Sequence, residues 1–341
     1  MADAIDRAMA VVDHDAYVTD GGTVLPQSSS PAIIAQVLRL LDVRRRMRVF
    51  EVGTGSGYST ALLCHLVGPT GRVDSMDIDP ALVHRAAARL KGSGLTQVQL
   101  TVGDASAISP EGSPYDRLVA WATADLLLGG WVASVPQGRI VAPLRLLPIE
   151  GATTVVRVVV ENGSPVVEGF SPGGFVPLTA APVADFEGLR RERADVVVES
   201  ALGHLLLSAP WVRAAPADLR QRLAAHGVDL IPRPTPLREG ESPDDLWWYL
   251  VAANPEGLTA GTLVPGGAAF GCGDPDGLVL VKRGAVEGGV GCVTAGQPDR
   301  CLDRFAAWIA AWRSAGKPGL SRLRGVMDRL DGAGWRVGVR T

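Results

Sequence analysis

The sequence predicts an open α/β sheet in its first half and a separate α+β domain in its second. Three observations carry this prediction. Met47–Val52 is a short apolar run, Gly53, Gly55 and Gly57 interrupt it, and Tyr58–Val67 resumes at helical spacing. Strand, glycine turn and helix in that order form the front edge of an open α/β sheet. Further strand-like and helix-like segments then alternate to about residue 143. Beyond residue 182 the pattern changes to helices followed by four short apolar runs between glycine-rich turns, antiparallel in outline. The expected division is 1–182 and 183–341.

Composition limits the possibilities. At 341 residues the chain is long for one domain and comfortable for two. With 47% hydrophobic and 20% charged residues it can bury a substantial core. Its formal net charge is −3 and no basic block stands out, which argues against nucleic acid as a partner. Cys64, Cys272, Cys292 and Cys301 show neither C-x-x-C spacing nor a histidine at zinc-ligand distance. Buried thiols are expected, and no metal site. The N-terminus lacks the apolar core of a signal peptide, and no apolar run reaches membrane-spanning length. A soluble, cytoplasmic protein with no membrane partner is expected.

The first half reads as follows. Ala4–Val12 has helical spacing, and Tyr17–Leu25 reads as a loop turning at Asp20-Gly21-Gly22. Ser28-Ser29-Ser30 precedes a helix through Leu41, with Ser30 as N-cap and Pro31 as first helical residue. Taken alone, the serines need be no more than a cap. Arg72–Asp77, Val98–Val102, Tyr115–Ala120 and Ile140–Pro143 read as the next strands. Asp79 suits the N-cap of a helix over Pro80–Leu90, which leaves Asp77 free for a ligand. Trp131–Val135 reads as a further helix. Thr153–Glu161 and Pro165–Phe170 flank Asn162-Gly163 as a hairpin.

The second half begins with a charged connector, Pro182–Val212, containing a helix from about Val198 to Leu207. An amphipathic helix over Pro216–His226 and a stiff proline-rich spacer over Ile231–Pro236 follow. Ser242 and Pro243 start a helix whose Trp247, Trp248 and Tyr249 cannot all face one side. Leu258–Leu263, Ala268–Cys272, Leu278–Lys282 and Gly288–Thr294 are the four apolar runs. Pro298–Ser314 is a helix with Leu302, Phe305, Ile309 and Trp312 inward, and Leu320–Leu330 and Trp335–Val339 close the chain as helix or strand. His204 and His226 read as structural residues on helices, and the tryptophans as core. The acidic stretch Glu239–Glu241 with Asp244-Asp245 reads as a solvated loop and helix start.

The glycine turn narrows the ligand. A dinucleotide fingerprint requires G-x-G-x-x-G, whose last glycine falls on Tyr58. The stretch Glu51-Val-Gly53-Thr54-Gly55-Ser56-Gly57 instead resembles the first motif of S-adenosylmethionine methyltransferases, so the first domain is expected to be Rossmann-like. The succession of segments resembles one family in particular, the protein-L-isoaspartate O-methyltransferases. The resemblance covers about residues 1–182 and rests on Ser29-Ser30-Pro31, Glu51–Tyr58, Val73–Pro80, Val102-Gly103-Asp104, Ser113–Asp116, Gln137–Pro143 and Gly174-Phe175-Val176-Pro177-Leu178.

The resemblance implies roles residue by residue. Glu51, Gly53, Thr54, Gly55, Ser56 and Gly57 would line the methionine end of the cofactor. Asp77 with Ile78 would hold the ribose, and Gly103, Asp104 and Ala105 the adenine. Ser29, flanked by Ser28 and Ser30, would hydrogen-bond the substrate carboxylate beside the transferring methyl as the catalytic residue. S-adenosylhomocysteine would be the product. Where the family opens with a Val-Pro-Arg-x-x-Phe-like segment, this chain reads Val12-Asp13-His14-Asp15-Ala16-Tyr17. It also continues well beyond Leu178. A longer subgroup with an added C-terminal domain resembles it more closely, including the triple serine. Members of that subgroup accompany maturation of ribosomal peptides (lanthipeptides, lasso peptides, graspetides).

The resemblance therefore implies a carboxyl O-methyltransferase that esterifies an Asp of a constrained, modified precursor peptide, generating aspartimide or isoaspartate. Ordinary isoaspartyl repair, methylation of a small-molecule acid, and a non-catalytic S-adenosylmethionine-binding scaffold are the alternatives. The oligomeric state is left open between monomer and dimer.

Overall fold

The computed structural model describes residues 3–25, 28–107, 114–200, 203–217, 230–264, 267–283 and 292–341. The chain packs as two units, one of residues 1–145, 153–184 and 325–337, the other of 146–152, 185–324 and 338–341. Two short crossings, at 146–152 and 325–337, distinguish this division from a single cut after residue 182.

The first unit opens with α1 (Ala4–Val11) and α2 (His14–Val18). The stretch expected as a loop holds the end of α2 and a small hairpin of β1 (Thr19–Asp20) and β2 (Thr23–Val24). In α3 (Pro31–Leu41), Ser30 is the N-cap, its side chain accepting from Ile33 N–H, with Pro31 just inside. Next come β3 (Arg48–Val52), α4 (Tyr58–Val67), β4 (Arg72–Asp77), α5 (Pro80–Gly92) and β5 (Val98–Val102). After them stand β6 (Arg117–Ala120), β7 (Leu127–Leu128), α6 (Gly129–Ser134) and β8 (Gly138–Arg145). The hairpin of β9 (Thr153–Glu161) and β10 (Ser164–Ser171) completes a seven-stranded sheet of order β5-β4-β3-β6-β8-β9-β10. From β5 to β8 the strands are parallel, and β9 and β10 run antiparallel. Such strands are covered on both faces, which is why β3 reads as a continuous apolar run rather than an alternation. Helix α4 is buried on almost every side and accordingly carries no polar stripe. The core joins Leu38 and Leu41 of α3 to Leu62 and Leu63 of α4 and Val49, Val73 and Val141 of the sheet.

The order reverses at β3. The chain moves outward through β4 and β5, then returns to place β6 on the other side. In open α/β sheets this switch point leaves a crevice at the carboxyl ends of the strands.

The second unit is built on another seven-stranded sheet, antiparallel throughout. After α7 (Phe186–Arg193), β11 (Val196–Ser200) and β12 (Gly203–Ser208) occupy the region expected as a helix over Val198–Leu207. The β-branched run Val196-Val197-Val198 and pairing with a neighbour outweighed a helical reading of the leucines. His204 thus lies on a strand, its Nδ1 2.7 Å from Glu199 Oε2. After α8 (Pro210–Ala214), β13 (Ile231–Arg233) corrects the expected spacer, because Ile231–Arg233 pairs with Cys292–Thr294 at the sheet edge. Pro232 is tolerated there since an edge strand has donors to spare. Most of the expected helix Pro216–His226 lies outside the described residues, as do 288–291 of the fourth apolar run.

Helix α9 (Pro243–Ala253) starts with Ser242 as N-cap, and buries Trp247 and Trp248 while leaving Tyr249 partly exposed. Strands β14 (Leu258–Val264), β15 (Gly267–Gly273), β16 (Gly277–Lys282) and β17 (Cys292–Gly296) give the order β11-β12-β14-β15-β16-β17-β13. Helix α10 (Asp299–Ser314) buries Cys301, Phe305, Ile309 and Trp312, with Leu302 only half-buried. All four cysteines are free and buried. Segment 146–152 is held within this unit by hydrogen bonds from Trp247 Nε1 and Arg283 Nη1 to Gly151 O, each 3.2 Å, and from Arg213 Nη2 to Pro148 O, 2.6 Å. The chain ends in β18 (Arg324–Leu330) and β19 (Gly334–Arg340), and β19 pairs Gly334-Trp335 with Leu127-Leu128 of β7.

One acidic residue departs from the solvated reading. The Glu241 side chain is 1% exposed. Arg313 Nε and Nη2 donate to its oxygens at 2.8 and 2.6 Å, Lys317 Nζ lies at 3.0 Å, and Arg238 N–H donates at 2.9 Å. The hydrogen bonds from Arg313 above all hold its carboxyl well below the usual carboxylate range. Breaking a buried pair of this kind typically costs about 3 kcal/mol or more, so Glu241→Ala is expected to destabilise the chain by about 3 kcal/mol in urea unfolding at pH 7. Because the folded carboxyl titrates lower than the unfolded one, the stabilisation is present above about pH 4.3 and fades as pH falls below it. The gap between wild type and variant should therefore narrow from pH 5 to pH 3; a constant gap would mean that packing, not charge, carries the effect.

Candidate functional site

The loop after β3 sits at the switch point. Gly53, Gly55 and Gly57 have φ of +90°, +52° and +84°, values that L side chains adopt rarely. A Cβ at Gly57 would also lie 3.0 Å from Ala86 Cβ, whereas one at Gly55 would meet nothing within 4 Å. The loop is thus pressed against α5 at one glycine and borders open space at another. Gly53 N–H donates to Met76 O at 2.8 Å and Gly57 N–H to Thr54 O at 2.9 Å, fixing the turn. Helix α4 begins at Tyr58; its N-cap Gly57 offers no side-chain cap, and Tyr58 N–H donates to Ser56 Oγ at 3.3 Å.

Glu51 lies beneath this loop, fully buried. Its Oε1 accepts from Ser59 Oγ at 2.6 Å and Trp121 Nε1 at 2.8 Å, and its Oε2 from Thr60 Oγ1 at 2.5 Å and Ser75 Oγ at 2.7 Å. Since Ser75 spends its proton on Glu51, Thr54 Oγ1 is the donor in the 2.7 Å Thr54–Ser75 contact. Burial pushes the carboxyl upward, and the hydrogen bonds from Ser59, Thr60, Ser75 and Trp121 oppose it. An ionised carboxylate is acceptor-only with about four lone-pair sites, which matches these donors. The geometry makes Glu51 an anchor of the glycine loop, where sequence reasoning had set it among the ligand-facing residues.

At the next strand end, Asp77 Oδ2 accepts from Gly55 N–H at 2.8 Å and Oδ1 from Asp79 N–H at 3.0 Å. This ties the second acidic position directly to the glycine loop. Asp79 caps α5 through Ala81 N–H at 2.8 Å, and Ile78 is half-buried between them. At the end of β5, Gly103 N–H donates to Asp77 O at 2.9 Å. Asp104 Oδ1 accepts from Ser106 N–H at 2.8 Å, and Ala105 O accepts from Trp131 Nε1 at 2.8 Å. The three motif segments therefore line successive strand ends and are hydrogen-bonded to one another.

The three serines divide their work. Ser28 Oγ donates to Leu25 O at 2.9 Å and Ser30 Oγ caps α3. Among the described residues Ser29 Oγ has no hydrogen-bond partner, although its side chain is half-buried. Helix α3 is tied to the closing segment by Gln36 Nε2, which donates to Pro172 O at 3.0 Å. The closing Gly174–Leu178 stretch docks on Thr123. Thr123 Oγ1 donates to Phe175 O at 2.8 Å, Thr123 N–H to Val176 O at 2.7 Å, and Leu178 N–H to Thr123 O at 2.8 Å.

Sequence reasoning did not single out Trp121 or Thr123. The available signal was their place just past the carboxyl end of β6, beside β3. The N-terminal segment also meets α4 and α5: the His14 ring stands edge-on to Tyr58 at 4.8 Å, and Arg85 of α5 donates to Tyr17 O and Thr19 O at 2.7 and 2.9 Å.

The anchor role of Glu51 is testable. Glu51→Gln keeps the shape but turns one acceptor into an amide donor facing donors, an exchange expected to cost about 2–4 kcal/mol. Ser59→Ala removes a single donor and should cost about 1 kcal/mol. Urea unfolding of both variants checks the difference; equal losses would mean that the carboxylate is not shared among its donors.

The chain is similar to known proteins. Over 175 residues the chain is 33% identical to a protein-L-isoaspartate O-methyltransferase of Ignicoccus hospitalis, covering 50% of this chain and 79% of that one. It is 37% identical over 191 residues to one of Anaeromyxobacter dehalogenans strain 2CP-C, covering 53% of this chain and 88% of that one. Among solved structures, a protein-L-isoaspartate O-methyltransferase aligns over 99% of this chain and 94% of its own, at 16% identity and TM-score 0.49. A Plasmodium falciparum structure described as a possible enzyme of this type, in complex with S-adenosyl-L-homocysteine, aligns over 52% of this chain and 91% of its own, at 19% identity and TM-score 0.45. The family model for protein-L-isoaspartate(D-aspartate) O-methyltransferase matches residues 2–182, more than half of the 341, and the chain belongs to this family of S-adenosylmethionine-dependent carboxyl O-methyltransferases.

Proposed function

We propose that this protein methylates the free carboxylate of an isoaspartyl residue in a peptide or protein. The observation that carries the proposal is the family match across the first unit, joined to a serine hydroxyl, Ser29, left uncommitted just before α3. The residues present suit S-adenosylmethionine. Gly55 borders open space. The Asp77 carboxylate accepts two main-chain N–H groups out of about four acceptor sites, which leaves capacity for ribose hydroxyls. Asp104 and Ala105 stand at the neighbouring strand end for the adenine, with Gly53–Gly57 for the methionine portion.

When bound, the cofactor supplies a methyl carbon activated by its sulfonium sulfur, which a carboxylate oxygen takes as the carbon–sulfur bond breaks. The chain's own task is alignment. A carboxyl with pKa near ~4 is already an anion at neutral pH, so no general base is needed. Ser29 donates its hydroxyl proton to one carboxylate oxygen and leaves the other to react. Orientation of this kind contributes several kcal/mol, up to about 7–11 for an ideally held pair. The ester formed is an electrophile for the next backbone nitrogen; attack closes a five-membered succinimide and releases methanol.

A second reading is a constrained, ribosomally made peptide whose Asp is esterified to give aspartimide. It is favoured by the second unit's seven-stranded sheet, which lies outside the family match, and by the altered segment Val12–Tyr17. Mass spectrometry over time separates the readings. A linear isoaspartyl peptide and a cyclised peptide containing Asp are each incubated with protein and S-adenosylmethionine. Gain of one methyl on the linear isoaspartyl peptide is the expected result; methylation and methanol loss on the cyclised peptide alone would support the second reading.

Site variants test the assignment. Ser29→Ala is expected to lower kcat about 10–100-fold with S-adenosylhomocysteine affinity unchanged, the loss of one charge-assisted hydrogen bond. Unchanged turnover would remove Ser29 from the mechanism. Asp77→Asn should instead raise the S-adenosylhomocysteine Kd about tenfold in calorimetry, since about 1.4 kcal/mol corresponds to a factor of ten.

A further inference from the structure

The apolar margin between Ser29 and the glycine loop has no role in the chemistry derived so far. Trp121 follows β6 directly, and its N–H still donates to Val52 O at 2.9 Å, so the residue is held in register with β3. A Cβ at Gly53 would lie 3.4 Å from Trp121 Cβ. The Trp121 and Phe175 rings meet edge-to-face at 5.7 Å. Gly173, at φ +150°, brings the next neighbour in: a Cβ there would lie 3.5 Å from Ile33 Cδ1 and 3.8 Å from Phe175 Cε2. Trp121 thus lies between Gly53 and Phe175, and Gly173 lies close to both Phe175 and Ile33, a residue in the first turn of α3 just after Ser29. Ile33, Phe175 and Trp121 pack against the core yet remain partly exposed. The Trp121 ring is fixed by the bond from its Nε1 to Glu51 Oε1, and a large aromatic with its polar tip satisfied presents only its apolar body.

We infer that Trp121 is a specificity-determining residue, the wall against which the residues flanking the target carboxylate pack, and that it selects peptides with apolar or aromatic neighbours there. The inference rests on the peptide-carboxylate reading above. On that reading a peptide whose carboxylate meets Ser29, just before the helix that carries Ile33, and whose reacting oxygen approaches Gly53, beside Trp121, runs past these side chains. None of Ile33, Phe175 and Trp121 is charged, so a lysine or glutamate neighbour would be desolvated against them without a partner. Aromatic contact of this size discriminates apolar from small neighbours by one or two powers of ten, as hydrophobic pockets do.

The test uses the full chain and three matched isoaspartyl peptides whose two flanking residues are Phe, Ala or Lys. Steady-state kcat/KM is measured for wild type, Trp121→Phe and Trp121→Leu, with the S-adenosylhomocysteine Kd of each. Wild type is expected to prefer the Phe peptide over the Ala peptide by about tenfold, and over the Lys peptide by more. Trp121→Leu should cut the Phe-over-Ala ratio to threefold or less, mainly through KM, whereas Trp121→Phe should retain most of it. S-adenosylhomocysteine Kd should stay within about twofold in Phe175→Leu. Both Trp121 variants lose the same Glu51 donor and are therefore compared with each other, their ratios and not their absolute rates being the readout. Phe175→Leu, which leaves the Glu51 bond intact, should lower the ratio in the same direction, and it serves if a Trp121 variant does not fold. A ratio unchanged in folded, active variants overturns the role of Trp121 and leaves the proposed function standing. Wild type that methylates none of the peptides overturns that function, and this inference with it.

Discussion

The first unit depends on one buried carboxylate. Glu51 lies near the carboxyl end of β3 with no exposure, and an unpartnered charge there would cost several kcal/mol. Its donors come from α4, from β4 and from the end of β6. These are the three elements that flank the switch point. The carboxylate therefore joins the strands on both sides of β3 to the helix that follows the glycine loop. Because Thr54 in turn donates to Ser75, the loop is tied into the same network. Burial and satisfaction together give rigidity: each donor has one acceptor to serve, and none can turn away without leaving the charge short.

That rigidity explains how a loop of three positive-φ glycines can hold one shape. Glycines lower the cost of the conformation but do not select it. Selection comes from the Glu51 network below and from Asp77, whose carboxylate accepts from Gly55 N–H. The serine segment before α3 faces a different constraint. Ser28 and Ser30 spend their hydroxyls on local structure, which positions Ser29 without consuming it. A triple serine is thus a device for holding one hydroxyl at a helix start with both neighbours locked.

The second unit shows how loosely local pattern constrains a sheet assembled from distant segments. Val196–Ser200 and Gly203–Ser208 became strands through pairing with each other and, for the second, with Leu258–Val264. Ile231–Arg233 became an edge strand although Pro232 interrupts it. Glu241 looked like part of a solvated acidic stretch, yet it is buried by Arg313 and Lys317, more than 70 positions on. For Gly203–Ser208, Ile231–Arg233 and Glu241 a deciding partner lies more than 50 positions away in the chain, and propensity carries no information about it.

The sequence by itself determined the local grammar of the methyltransferase half. Met47–Val67 announced strand, glycine turn and helix; Ser30-Pro31 and Asp79-Pro80 marked helix starts; Asn162-Gly163 marked the hairpin. These signals are local because sterics, capping and periodicity act within a few residues. Only the tertiary structure decided that Glu51 faces inward to four donors, that the Trp121 and Phe175 rings meet, and that segment 146–152 belongs with the second unit. Each of these is a meeting of residues far apart in the chain, set by which surfaces must be buried together, and the energy of such a meeting belongs to no single stretch of sequence.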